Sequence, residues 1–145
     1  MDARVIDLFA GSGALGLEAL SRGAAFSLFI DSDPAAATAI GQNLASLGLS
    51  HRGEIRRRDA TRLGAAMAPD GAFDLAFLDP PYARSLAEPA LAALASGGWL
   101  APGALTVVER GAAEAALLAP GFAVLDARTW GAATISFLRF GEPAD

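Results

Sequence analysis

Residues 4–20 read RVIDLFAGSGALGLEAL, and the change of pattern inside this stretch decides the fold class. Arg4 to Phe9 is a short apolar run of β type. It stops at a glycine-rich turn, Ala10 to Gly16 (AGSGALG), and a helical pattern begins at once with Leu15, Leu17, Ala19 and Leu20 before Arg22-Gly23 closes it. A strand that feeds a helix through a glycine turn is the opening unit of a βαβ fold.

The same alternation continues outward from that unit. Ser27 to Ile30 (SLFI) is a second apolar run that ends in Asp31-Ser32-Asp33, and Pro34 suits the first turn of the helix that follows to Leu47. Glu54 to Arg58 predicts a weaker third strand, closed by Asp59 and followed by a short amphipathic segment to Met67. Phe73 to Leu78 (FDLAFL) is a strongly apolar fourth strand, a helix is predicted from Leu86 to Ala95, and Ala104 to Glu109 (ALTVVE) makes a fifth strand. Phe122 to Arg128 and Thr134 to Phe140 are both strand-like, with a turn near Gly131.

Strands apolar on both faces and alternating with helices predict an α/β, Rossmann-like, mostly parallel seven-stranded sheet with helices on both faces. The last two strands are too close for a helical crossover and are expected to pair as a C-terminal antiparallel hairpin. One domain over residues 1–141 is expected, with 142–145 as a loose tail.

Composition removes several chemistries. Cysteine and lysine are both absent, so disulfides, thiolate ligands, a lysine base and a P-loop lysine are excluded. His51 stands alone in a polar stretch, and no metal site is expected. No apolar run approaches the roughly 20 residues of a membrane span, and no export signal opens the chain, so a cytoplasmic protein with no membrane partner is expected. The net charge of −5 opposes a strong, sequence-independent grip on nucleic acid. The only basic cluster, Arg56 to Arg58 with Arg52 and Arg62 nearby, reads better as a charged edge strand than as a phosphate contact.

Gly11, Gly13 and Gly16 form a G-x-G-x-x-G between strand and helix, where bare backbone admits a ligand to the N–H groups. The motif serves nicotinamide and flavin enzymes as well as methyl transferases. Asp31 lies 20 residues beyond Gly11, where a carboxylate accepts the hydroxyl protons of a ribose, while Asp33 is the better helix cap. Asp7 falls inside a run that should be buried and is expected to hold the loop's amides or the amino end of a bound amino acid. Asp59 is expected on the same sheet edge, able to accept from an adenine amino group, with the Ala60 N–H beside it. Phe9, Ala10 and Ser32 complete the expected cofactor-contacting set.

Asp79-Pro80-Pro81-Tyr82 follows the fourth strand. Two prolines remove two donors and stiffen the backbone, leaving the Asp79 carboxylate and the Pro80 carbonyl as a ledge of acceptors beside an aromatic ring. That ledge suits an aromatic NH2 group held with its nitrogen toward the methyl carbon of a sulfonium donor. Asp79 is a poor base for a neutral amine, but it can stabilise and relay the proton of an amine already made positive by methylation. Tyr82 would stack on the base.

Asp7 to Leu20 (DLFAGSGALGLEAL), DPPY at 79–82 and Gly98-Trp99-Leu100 resemble the RsmD family, the bacterial small-subunit rRNA guanine-N2 methyltransferases. The resemblance runs over nearly the whole chain, through the VVE strand and the final hairpin. It implies that Gly11, Gly13, Asp31, Asp59 and Ala60 bind S-adenosylmethionine, with S-adenosylhomocysteine as product, and that Asp79, Pro80 and Tyr82 hold the guanine. The implied partner is ribosomal RNA or an assembling small subunit, met by a monomer. The family commonly has Glu where Asp31 stands. It also carries a basic N-terminal hairpin and helix, so a truncated or misassigned start is expected here. Competing readings are a DNA adenine-N6 or cytosine-N4 amino-methyltransferase, an NAD-dependent oxidoreductase, and a cofactor-binding module inactive without the N-terminal segment.

Overall fold

A computed structural model describes residues 2–67, 72–81, 85–114 and 116–141. Its elements in order are β1 (Arg4–Leu8), α1 (Ala14–Ser21), β2 (Phe26–Asp31), α2 (Pro34–Ser46), a 3-10 turn (Ser50–Arg52), β3 (Gly53–Arg57), β4 (Phe73–Leu78), α3 (Ala87–Ser96), β5 (Leu100–Gly111), β6 (Phe122–Trp130) and β7 (Ala133–Phe140). The seven strands form one sheet in the order β3-β2-β1-β4-β5-β7-β6. The first five run parallel, and β7 enters antiparallel between β5 and β6. This is the mixed sheet with a closing hairpin that the spacing predicts.

Period-two alternation along the strands sorts the core into two layers. Val5 and Phe29 face α1 and α2, packing with Leu17, Leu20, Ile40 and Leu44. Ile6, Leu8, Leu28 and Ile30 face the other way, against Leu91 and Leu94 of α3 and the buried Trp99. Helices therefore cover both faces.

The helices α1 and α2 each start for a local reason. The Asp33 carboxylate caps α2 by accepting from the Ala35 amide at 2.9 Å, with Pro34 at the first helical position. Gly13 opens α1 at φ 83°, a left-handed conformation that glycine adopts at no steric cost.

The end of β3 and the start of β5 differ from the sequence expectation. β3 ends at Arg57, so Asp59 lies beyond the strand: Arg58 still donates its amide to Asp31 O at 3.2 Å, but Asp59 turns back onto Thr61. β5 begins at Leu100 instead of Ala104, because the register slips between Phe73↔Leu100 and Leu75↔Leu105 and the bulge absorbs Pro102 and Gly103. The short segment to Met67 is anchored in the core by Leu63 and turned by Gly64 at φ 70°. Residues 142–145, expected as a tail, lie outside the described residues. No described helix is long and apolar enough to cross a membrane.

Candidate functional site

β1 is the strand from which the chain runs outward to β2 and β3 before returning on the other side to β4. The carboxyl ends of β1 and β4 therefore border a topological switch point, where such sheets leave a crevice. A cavity of about 610 Å³ occupies it, within the range of small-molecule sites. Phe9, Asp31 and Ser32 form one wall, Asp59 and Ala60 a second, and Asp79, Pro80 and Pro81 a third. Phe9, at the foot of the glycine turn, and Asp79, roughly 70 residues on in sequence, thus border a single space.

The glycine turn stands beside this space and is held from three sides. Gly13 donates its amide to Ala10 O at 2.8 Å, Ala10 donates to Ile30 O at 3.1 Å, and the Asn43 side chain of α2 donates to Ser12 O at 3.0 Å. Gly11 sits at φ 59° and gives its amide to Asp31 Oδ2 at 2.9 Å; Asp31 Oδ1 accepts from the Asp33 amide at the same distance. Both carboxylate oxygens keep further lone-pair capacity for a ligand, since a carboxylate offers about four acceptor sites. Phe9, a non-glycine residue at φ 56°, carries backbone strain at the cavity wall.

Of the expected contacts, Asp7, Ala10, Gly11, Gly13 and Gly16 do not line the cavity, and Asp7 and Gly16 stand behind the turn. Asp7 is buried and its Oδ2 accepts from the Gly16 amide at 3.1 Å. Burial raises its carboxyl to about 7, against the pull of the Gly16 amide and with added repulsion from Asp79 and Asp31. Gly16 is packed: a Cβ there would lie 2.4 Å from Phe29 Cε1. Its bare Cα lets α1 approach β2 closely.

At the opposite wall, partial desolvation raises the Asp79 carboxyl above the ordinary value, and the neighbouring Glu109 carboxylate adds to the rise. Asp59 moves the other way, lowered first by the Thr61 hydroxyl and then by the Thr61 amide, whose bonds to Asp59 Oδ1 are 2.7 and 2.8 Å. The rim thus carries carboxylates from β2, from the loop after β3 and from the end of β4. Such a rim favours a ligand bearing positive charge.

Tyr82, expected to stack on a base, lies outside the described residues, as does Arg84. The cavity also takes in Arg58, Thr61 and Leu86, which sequence reasoning did not place there. The sequence groups Arg58 with its neighbours as edge charge; β3 does form the sheet edge, but the strand stops before Arg58, whose guanidinium donates to Leu63 O at 3.2 Å. Its position immediately before Asp59 was the available signal. Trp130 is exposed on β6, and His51 is exposed in the 3-10 turn.

Known proteins share both the sequence and the architecture. A family model described as "Conserved hypothetical protein 95" matches residues 1–139. The ribosomal RNA small subunit methyltransferase D of Escherichia coli K12 is 40% identical over 109 residues, which cover 75% of this chain and 54% of that protein. A solved Haemophilus influenzae protein superposes with a TM-score of 0.87 at 32% identity, covering 97% of this chain and 88% of that one. A SAM-dependent methyltransferase from Aquifex aeolicus, at 17% identity and TM-score 0.72 over 96% of this chain and 82% of its own, shares the fold. The chain spans about half the length of the curated relatives it matches.

Proposed function

The chain belongs to the family described as conserved hypothetical protein 95, the RsmD family, and from that premise we propose that it transfers a methyl group from S-adenosylmethionine to the exocyclic N2 amine of a guanine in small-subunit ribosomal RNA. The observation that carries this reading is the single cavity bordered by Asp31 and Asp59 on one side and by Asp79-Pro80-Pro81 on the other.

The cavity suits S-adenosylmethionine in size and in charge. Asp31 would accept from the ribose hydroxyls, Asp59 from the adenine amine, and the Ala60 amide would donate to the ring. Phe9, Ala10, Ser32 and the turn at Gly11 and Gly13 would border the remainder, with Asp7 and Gly16 supporting that turn from behind. When bound, the cofactor supplies an electrophilic methyl group on a sulfonium. A dinucleotide fits less well, because its pyrophosphate would bring negative charge to a turn whose Gly11 amide already serves Asp31. The oxidoreductase reading is disfavoured on that ground.

On the ledge, the Asp79 carboxylate and the Pro80 carbonyl would hold the two amine protons, and Pro81 would keep that ledge rigid. This fixes the amine's orientation and keeps water from taking its place. As positive charge develops on the nitrogen, Asp79 stabilises it and then takes the proton. Its raised pKa makes it a better acceptor than an ordinary aspartate near neutrality. Tyr82 would cover the base from one side.

The test separates the two halves of the cavity. Asp79→Ala is expected to abolish methyl transfer to small-subunit rRNA while leaving S-adenosylmethionine affinity, measured by calorimetry, nearly intact. Equal loss of both would overturn the division of labour. Cofactor binding by the natural chain without methylation of any RNA would favour a binding module that needs further sequence to act, a reading consistent with the coverage of its relatives.

A further inference from the structure

β4 and β5 run parallel with Leu78 beside Val108, so the next residues toward the carboxyl edge, Asp79 and Glu109, are neighbours. Adjacent strands lie about 4.8 Å apart, close enough for two side chains to grip adjoining atoms of one planar ring. Alternation puts Glu109 on the same face as Val107, which is paired with Phe77, itself paired with Asp7. Glu109 thus stands on the glycine-turn side of the sheet, half-buried, where β5 is held by β4 on one side and by β7, through Ile135, on the other. Its carboxylate acts on Asp79 electrostatically.

An amine-holding ledge alone does not choose a base. Guanine, adenine and cytosine each present an exocyclic NH2 to two acceptors in the same way. The difference lies one atom further along the ring: guanine has an N1–H donor beside its amine, whereas adenine and cytosine have a bare lone pair there. A second carboxylate next to the first therefore attracts guanine and repels the other two.

We infer that Glu109 is the acceptor for the guanine N1–H, placed beside Asp79 so that the pair reads two adjacent donors and selects guanine. This rests on the guanine-N2 transfer proposed above and deepens it by naming what discriminates the base.

The test uses guanosine and 2-aminopurine riboside, which keeps the C2 amine but replaces N1–H with a lone pair. Binding of each nucleoside to the full chain saturated with S-adenosylhomocysteine is followed by ligand-observed NMR. The natural chain is expected to prefer guanosine by about tenfold or more, the discrimination that a good paired contact supplies. In Glu109→Leu that preference collapses toward one through loss of guanosine binding. In Glu109→Gln, whose amide can accept or donate, both nucleosides bind. Unchanged S-adenosylhomocysteine affinity in each variant shows that the fold is kept. Retention of the preference in Glu109→Leu, with guanosine in small-subunit rRNA still methylated by the natural chain, overturns the role of Glu109 and leaves the proposed function standing. A natural chain that shows no preference also overturns the role of Glu109. Failure to methylate any guanosine overturns the proposed function and this inference with it.

Discussion

The Oδ2 oxygen of Asp31 accepts the Gly11 amide hydrogen at 2.9 Å, so the residue that closes β2 also holds the turn that follows β1. A ligand bound in the cavity would meet a carboxylate already fixed by two amides, Gly11 and Asp33. Asp31→Ala removes both the proposed ribose acceptor and the tie on the turn. Hydrogen bonds to charged groups are worth roughly 1.5–3 kcal/mol, so S-adenosylmethionine affinity is expected to fall by about tenfold or more. Calorimetry reads this directly, and an unchanged dissociation constant would remove Asp31 from the cofactor site.

Asp7 makes stability depend on pH. Its carboxyl titrates near 3.8 in an unfolded chain and near 7 when folded, so between those values the folded chain keeps a proton that the unfolded chain has lost. Stability therefore falls as pH rises through that window. Asp79, also raised, acts in the same direction; Asp59, lowered, contributes stability that is lost as pH falls through its folded value. Asp7→Asn keeps an oxygen for the Gly16 amide and removes the buried charge. It is expected to stabilise the chain above pH 7 by on the order of 2–4 kcal/mol and to change little below pH 4. Thermal unfolding curves for the two proteins that run parallel from pH 4 to pH 8 would show that Asp7 titrates normally.

Gly16 tests how tightly α1 is seated. An added Cβ would lie 2.4 Å from Phe29 Cε1 and 2.7 Å from Ser27 Oγ, so Gly16→Ala forces either the ring or the helix to move. Overpacking of this kind costs about 1–3 kcal/mol, and the roughly 1 kcal/mol that alanine adds to a helix interior offsets it only in part. The urea midpoint should drop, and Phe29→Leu in the same chain should restore part of it by opening the space. A midpoint at or above that of the natural chain would mean that α1 has room.

How far the sequence could be read depended on the range of the forces involved. Local signals sufficed for β1, its glycine turn and the α2 cap, because apolar runs, glycine and an Asp-Pro pair act within a few residues. The β6–β7 hairpin followed from a connection too short for a helix. What escaped was set by pairing between distant strands. Pro102 and Gly103 look like strand breakers, yet a shift of register with β4 carries β5 through them. Asp59 looks like a strand end until β3 is seen to stop at Arg57. The acidic residue closing the VVE run gave no sign of facing Asp79, because that neighbourhood exists only once β5 lies beside β4.

Trp99 joins two of these distant segments, and its replacement should be felt in the cavity. The indole is fully buried, stacks on Phe73 with centroids 6.5 Å apart, and donates Nε1–H to Gly64 O at 2.9 Å. The Ala66 amide adds a bond to Gly97 O at 2.8 Å, so the turn before β5 pins the stretch just downstream of Asp59 and Ala60. Trp99→Phe keeps most of the buried ring area but leaves the Gly64 carbonyl without that donor, a loss of about 1–3 kcal/mol. Asp59 and Ala60 keep their own bonds in this variant. S-adenosylmethionine affinity should therefore weaken less than in Asp31→Ala, while the denaturation midpoint falls more. Paired calorimetry and urea titration of the two variants check that crossed order; the same ranking in both measurements would show that the loop after β3 holds its place without Trp99.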